Sequence, residues 1–473
     1  MASIALKHLS YQYETAQTPI FDRVVTEFPA HQFTLLTGPS GTGKSTLLQL
    51  MAGLLPLPKN SGTISYDHVA LSSLPVGTRS KRVAMMFQNP NQQFAMDTVE
   101  HELVFALENQ QIAAVEIEDR IIQALTFVGI QKLQHRQLNH LSGGEKQKVA
   151  LAVIVAMDSD VILLDEPFAS VDPQARQSLI DRLVELRDQY GKTIILADHD
   201  YAGYDAVVDH VVQITRDHQL RRLPKTQWAQ FFAAFRPQSL PSWPAPAPEP
   251  TPLFQLDQVA LTQGNHQLLV PTTLQLHAHR NTLITGANGT GKSTLFEALV
   301  RLTTYQGAIR YQGKDIQKSR RKRYARHVAL LFQDAEAQFF NITVAEELAQ
   351  SQKYAYGDYF TPAKINDALT QLNLAGRDDQ VIYTLSEGQK KKLQILLMLI
   401  MQSPVLLMDE PLKGLDLKSI NALVTLLKTT LAATQQTLII ISHQLTGLTP
   451  LIDYHLRLAN HQLQYIGGPT NES

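Results

Sequence analysis

The chain has 473 residues, a formal net charge of −1 and no cysteine. Near-neutral charge offers no electrostatic footprint for nucleic acid, and the lack of cysteine excludes disulfide frameworks, zinc–thiolate sites and thiol catalysis. No stretch approaches the ~20 apolar residues that span a bilayer and the N-terminus lacks the apolar core of a signal peptide, so the expectation is a soluble, cytoplasmic protein for which any membrane role must come through partners.

In chain order, the β-rich run Phe33–Thr37 enters a glycine-rich loop, Gly38-Pro39-Ser40-Gly41-Thr42-Gly43-Lys44-Ser45-Thr46, and a helix is predicted from Lys44. In such a G-x-x-x-x-G-K-S-T loop, backbone N–H groups converge on phosphate oxygens at a helix N-terminus, where the dipole also favours an anion. Lys44 is placed to reach the β- and γ-phosphates of a nucleotide and Ser45 to ligate Mg²⁺. Gln88 follows in Met86-Phe87-Gln88-Asn89-Pro90. The pattern then turns helical over 98–110 and 116–129, with Ile117, Ile121, Leu125 and Val128 on one face. Next come Leu141-Ser142-Gly143-Gly144-Glu145, the apolar run 161–164 ending in Asp165-Glu166, the run Thr193–Ala197, and His199. The two apolar runs read as buried parallel strands. Trp228 with Phe231, Phe232 and Phe235 reads as the apolar face of a terminal helix.

Seven prolines between Pro237 and Pro252 predict an extended spacer, a plain linker by default and an SH3-type ligand as the alternative. From Phe254 the same order begins again. The run Thr282–Thr285 enters Gly286-Ala287-Asn288-Gly289-Thr290-Gly291-Lys292-Ser293-Thr294, with a helix from Lys292. Gln333, Leu385-Ser386-Glu387-Gly388-Gln389, the run 405–408 ending in Asp409-Glu410, and His443 follow. Glutamate and histidine are 33 residues apart in both halves, and the repeat offset runs from 244 to 250. A repeat of this order is far more specific than one glycine-rich loop. The organisation expected is a first nucleotide-hydrolase domain at 1–236, a linker at 237–253 and a second domain at 254–473. The basic segment 318–327 reads as a solvated helical face.

These motifs resemble those of the ATP-binding cassette (ABC) family over nearly the whole chain. The resemblance implies two tandem P-loop domains of α/β class, each with a parallel-sheet core, an antiparallel β subdomain and a helical subdomain ending in the signature motif. It implies that Asp165 and Asp409 hold hydrated Mg²⁺, that Glu166 and Glu410 orient and polarise the attacking water, and that His199 and His443 sense the γ-phosphate. Gln88 and Gln333 would touch Mg²⁺ and the lytic water, while the loop behind each contacts a membrane partner. Ser170-Val171-Asp172 and Gly414-Leu415-Asp416 match the D-loop. Signature motifs in this family act across an intramolecular cassette pair. One composite site would join Lys44, Gln88, Glu166 and His199 to Ser386 and Gly388. The other would join Lys292, Gln333, Glu410 and His443 to Ser142 and Gly144. Both would bind ATP with Mg²⁺.

Two departures break the symmetry. Tyr13 matches the aromatic that stacks on adenine, or is simply a strand aromatic, whereas Gln263 holds the aligned place. Base stacking on a ring is worth ~1–3 kcal/mol, so its loss would weaken binding roughly fivefold to more than a hundredfold. Glu387 replaces the signature's first glycine and brings negative charge toward a γ-phosphate. The segment Phe87-Gln88-Asn89-Pro90-Asn91-Gln92-Gln93-Phe94 is similar to the Q-loop region of ATPases from energy-coupling factor transporters, with a weaker echo at 332–340. That resemblance implies a peripheral subunit on the cytoplasmic face of the membrane. It would bind an integral membrane coupling subunit and a solute-binding membrane subunit, with Phe94 and Phe339 at the contact or in the core. A tandem sugar-importer ATPase, or a soluble tandem factor acting on ribosomes or DNA, remain the alternatives. The short proline-rich linker and neutral charge weigh against the second.

Overall fold

The computed structural model describes residues 3–467 apart from 15–17, 40, 169–170, 172, 216, 234, 236–242, 244, 248–251, 265, 334, 444 and 446. Ser40, Ser170, Asp172 and most of the expected linker lie outside the described residues. The chain divides into two compact units, Met1–Pro237 and Gln238–Ser473. Both are α/β.

In the first unit a six-stranded sheet runs in the order Leu220–Arg222, His210–Ile214, Phe33–Thr37, Thr193–Ala197, Val161–Asp165, Val83–Met86. All neighbours are parallel except the edge pair at Leu220–Arg222. Phe33–Thr37, Thr193–Ala197, Val161–Asp165 and Val83–Met86 are buried at every residue, which explains their unbroken apolar runs. A separate antiparallel sheet contains Phe21–Phe28, Ile4–Tyr11, Thr63–Tyr66 and Val69–Ala70. The expected helices form at Val99–Asn109, capped by the Thr98 hydroxyl, and at Ala114–Val128, closed by Gly129 in the left-handed region. Ile121, Leu125 and Val128 are buried and Ile117 packs beside them.

The second unit repeats this plan. Its parallel core is Val328–Leu331, Val405–Asp409, Thr437–Ile441, Thr282–Thr285 and Tyr454–Ala459, with Gln462–Tyr465 antiparallel at the edge. Trp243, from the proline-rich segment, is buried in this unit's core with its ring 5.5 Å from that of His455. The basic segment bears the short helix Arg321–His327, exposed except for Tyr324 and the half-buried His327. Among the described residues, no helix is long and apolar enough to cross a membrane.

In each unit the glycine-rich loop, the Asp-Glu pair, the histidine and the glutamine leave the carboxyl ends of adjacent parallel strands. That edge is where open α/β sheets bind ligands.

Candidate functional site

Both glycine-rich loops take the strained path that their spacing requires. Gly38 and Gly286 have φ of 151° and 157°, and a Cβ on either would run into the carbonyl of Ile214 or Leu458. Gly43 and Gly291 cap the helices Lys44–Ala52 and Lys292–Leu299 from the left-handed region. Lys44 Nζ donates to the Gly38 carbonyl at 2.9 Å and to that of Pro39 at 3.3 Å. Lys292 Nζ makes the matching pair with Gly286 at 2.7 Å and Ala287 at 2.8 Å. Gly41 and Gly289 are also left-handed, and Thr42 and Thr290 close each loop by donating to the carbonyls of Pro39 and Ala287.

Asp165 and Asp409 end buried strands beside these loops. Ser293 Oγ donates to Asp409 Oδ2 at 2.6 Å, and Ser45 bonds Asp165 in the same way. Burial, with Glu166 nearby, pushes the Asp165 carboxyl up to about 7; burial likewise raises Asp409, opposed by the Ser293 bond. Asp165 Oδ1 is buried with no hydrogen-bond partner. A buried carboxylate oxygen without a partner, next to a serine hydroxyl and a lysine-bearing phosphate loop, fits the hydration shell of Mg²⁺ on a nucleotide.

Glu166 and Glu410 both have φ in the left-handed region, 45° and 48°, uncommon for a side chain of this size. Each is pinned there by its N–H, which donates to the carbonyl of Ala197 at 2.8 Å or Ile441 at 2.9 Å. From this shared backbone the two sites diverge. Glu166 Oε1 lies 2.9 Å from His199 Nε2, and Glu166 Oε2 accepts from Gln88 Nε2 at 3.0 Å. Burial would raise this carboxyl, but the charge and hydrogen bond of His199, with Lys44 and Gln88, hold it below its ordinary value.

In the second half, Glu410 accepts the His443 backbone N–H at 3.1 and 3.2 Å, and the His443 ring lies 3.8 Å away. His443 Nε2 is instead 3.0 Å from Asn288 Oδ1 in the phosphate loop. Burial pushes Glu410 up to about 7, only partly offset by that backbone bond. Gln333 is exposed, and its carbonyl accepts from Lys391 Nζ at 3.0 Å. Lys391 stands where the first half has Gln147, and Gln394 adds a bond to the Phe332 carbonyl. The second Q-loop is therefore tied to the signature helix.

The signature serines are N-caps. Ser142 and Ser386 start the helices Gly143–Met157 and Glu387–Met401, each in a capping box, with Glu145 and Gln389 respectively. The charge of Glu387 is paired with Lys390 one turn along at 3.2 Å, and Lys390 also meets Glu336. At a first-turn position, Glu387 also complements the helix dipole. Tyr13 is 38% exposed, with its hydroxyl 3.2 Å from Thr46 Oγ1 beside the phosphate-loop helix. Gln263 is exposed. Phe339 is buried in the core and Phe94 is half-buried against its own, whereas Phe340 (81% exposed) and Ile342 (64%) are open to solvent. Three features escape sequence reading: the Asn288–His443 contact, the Lys391 tie, and a buried Asp198 beside His199. Their signal is a substitution between the aligned halves.

Residues 21–169 and 269–413 match the ABC transporter family. The chain is 28% identical over 98% of its length, and 91% of the other, to YkoD of Bacillus subtilis, a protein named for HMP/thiamine import ATP binding. It is 29% identical, over 93% and 92% of the two chains, to a Treponema denticola protein named as an ABC transporter ATP-binding protein. Among solved structures, the archaeal ribosome recycling factor aABCE1 aligns with a TM-score of 0.65 at 20% identity, covering 95% of this chain and 87% of that one. At that identity the likeness shows the fold alone. With both halves matched, the chain belongs to the ABC transporter family as an ATPase built from two ATP-binding modules in tandem.

Proposed function

We propose that the chain is the ATP-hydrolysing subunit of an importer of the energy-coupling factor type, taking up a vitamin or a transition-metal ion chosen by a membrane partner. The observation that carries the hydrolytic part is the Glu166 carboxylate, bracketed by His199 and Gln88 above Asp165. Bound Mg²⁺–ATP supplies the reactive γ-phosphoryl group and much of its charge neutralisation. Lys44 and Lys292 exchange loop carbonyls for phosphate oxygens, and Asp165 and Asp409 with Ser45 and Ser293 hold the cation's shell. Glu166 and Glu410 accept a proton from the water that Gln88 and Gln333 help to place, and His199 and His443 report on the γ-phosphate.

The transport part is supported by a relative named for HMP/thiamine import that aligns over 98% of this chain, and by the Q-loop segment at 87–94. It is further supported by Phe340 and Ile342, an exposed apolar pair behind Gln333 that fits an apolar helix of a membrane subunit. Tagged protein purified from gently solubilised membranes should bring an integral membrane partner with it, and Phe340→Asp with Ile342→Asp should lose that partner. Recovery with ribosomes alone, in repeated preparations, would reject the importer reading.

A further inference from the structure

The segment that carries His199 is closed on itself by a buried polar network. Asp198 accepts the His199 backbone N–H at 2.7 Å, the Asp200 N–H at 3.2 Å and the Tyr204 hydroxyl at 2.8 Å. Arg176, on the helix Pro173–Asp188, reaches in from the side. Its guanidinium donates to the Asp200 carbonyl at 2.7 Å and to that of Ala202, lies 3.5 Å from Asp198 and sits 4.7 Å from the Tyr204 ring centre. Tyr204 is fully buried and Asp198 nearly so. The aligned residues of the second half are Ile420, Ser442 and Leu448, two of them apolar.

We propose that Arg176, Asp198 and Tyr204 are positioning residues that hold the His199 ring on Glu166 by giving the histidine's backbone N–H an acceptor other than the catalytic carboxylate. The second half shows the alternative. With Ser442 in place of Asp198, the His443 N–H goes to Glu410 and the ring goes to Asn288. One carboxylate decides the arrangement: where Asp198 takes the N–H, Glu166 keeps both oxygens for the His199 ring and Gln88. Because Arg176 lies four residues beyond Asp172, the network also links the histidine to the helix that follows the D-loop. The proposal rests on the reading of Glu166 and His199 as hydrolytic residues.

The test uses the full chain carrying Glu410→Gln, so that Glu166-dependent phosphate release is read. Asp198→Ser should lower kcat by about ten- to a hundredfold with KM for ATP within about twofold, the cost expected of a misplaced group that does not itself bind substrate. In a His199→Ala background the same substitution should have no further effect on kcat, because it acts through that ring. Tyr204→Phe, which removes one hydroxyl without changing shape, should lower kcat a few-fold and guards against loss of folding in the first variant. Ser442→Asp, read with Glu166→Gln in place of Glu410→Gln, should raise Glu410-dependent kcat. An unchanged kcat in folded Asp198→Ser and Tyr204→Phe proteins overturns the proposal, as does an equal loss in the His199→Ala background. If His199→Ala itself leaves turnover intact, the site reading beneath the proposal falls, and the proposal with it.

Discussion

The two halves place the same glutamate on the same left-handed backbone and then surround it differently. Glu166 meets a histidine ring and a glutamine amide, whereas Glu410 meets the backbone of its histidine. The carboxyl of Glu166 is held below its ordinary value and that of Glu410 is pushed up to about 7. The motifs therefore place the two carboxylates on the same backbone conformation, while their hydrogen-bond partners and the direction of their shifts differ. Near the motifs, Asp198 aligns with Ser442 and Gln147 with Lys391.

The comparison can be broken most forcefully by removing both glutamates. Glu166→Gln with Glu410→Gln should lower steady-state phosphate release by about a hundredfold or more, the range of a lost general base; a normal rate would mean that neither carboxylate activates water. The nucleotide-binding side comes next. Tyr13→Ala should weaken ATP binding to the first phosphate loop roughly fivefold to a hundredfold, and Gln263→Tyr should tighten the second by a smaller factor. Equilibrium titration in Lys292→Ala and Lys44→Ala backgrounds reads the two separately. A subtler change sharpens the contrast between the histidines. Asn288→Ser places in the second loop the residue type that Ser40 supplies in the first, and frees the His443 ring from its 3.0 Å contact. With Glu166→Gln, Glu410-dependent turnover should then rise by about two- to tenfold, the equivalent of roughly one hydrogen bond.

The smallest effect is on stability. The Glu410 carboxyl titrates higher folded than unfolded, so its stabilising contribution is complete below about pH 4.5 and is lost as pH rises to about 7. Above that, the buried charge costs about 3 kcal/mol. Glu410→Gln should therefore raise the Tm of nucleotide-free protein by a few degrees at pH 8, with the gain shrinking toward pH 5. Glu166 is shifted the other way, its contribution present at high pH and lost on acidification, and Glu166→Gln should bring no such gain at pH 8.

The fold and the members of the site were legible because their signals are local. Glycine spacing, capping serines and four-residue apolar runs each specify an element within a short window, and the helix at Ala114–Val128 follows from one apolar face. Glu387 also had a local signature, since Lys390 lies at the i,i+3 position that pairs on a helix. Contacts across long intervals were not legible. Arg176 meets Asp198 from 22 residues away, Lys391 meets Gln333 from 58 and His443 meets Asn288 from 155. Phe339 and Phe340 illustrate a finer limit. The chain is extended at Phe339, so neighbouring side chains face opposite ways, and only the phase of that short segment decides which ring enters the core.

The central claim, that the first half's glutamate is the better prepared of the two, is tested most directly by phosphate release at saturating Mg²⁺–ATP from the two single variants. Glu410→Gln, which leaves Glu166 in place, should keep the larger share of the parent kcat, and Glu166→Gln the smaller. Equal residual rates, or the reverse order, would contradict it.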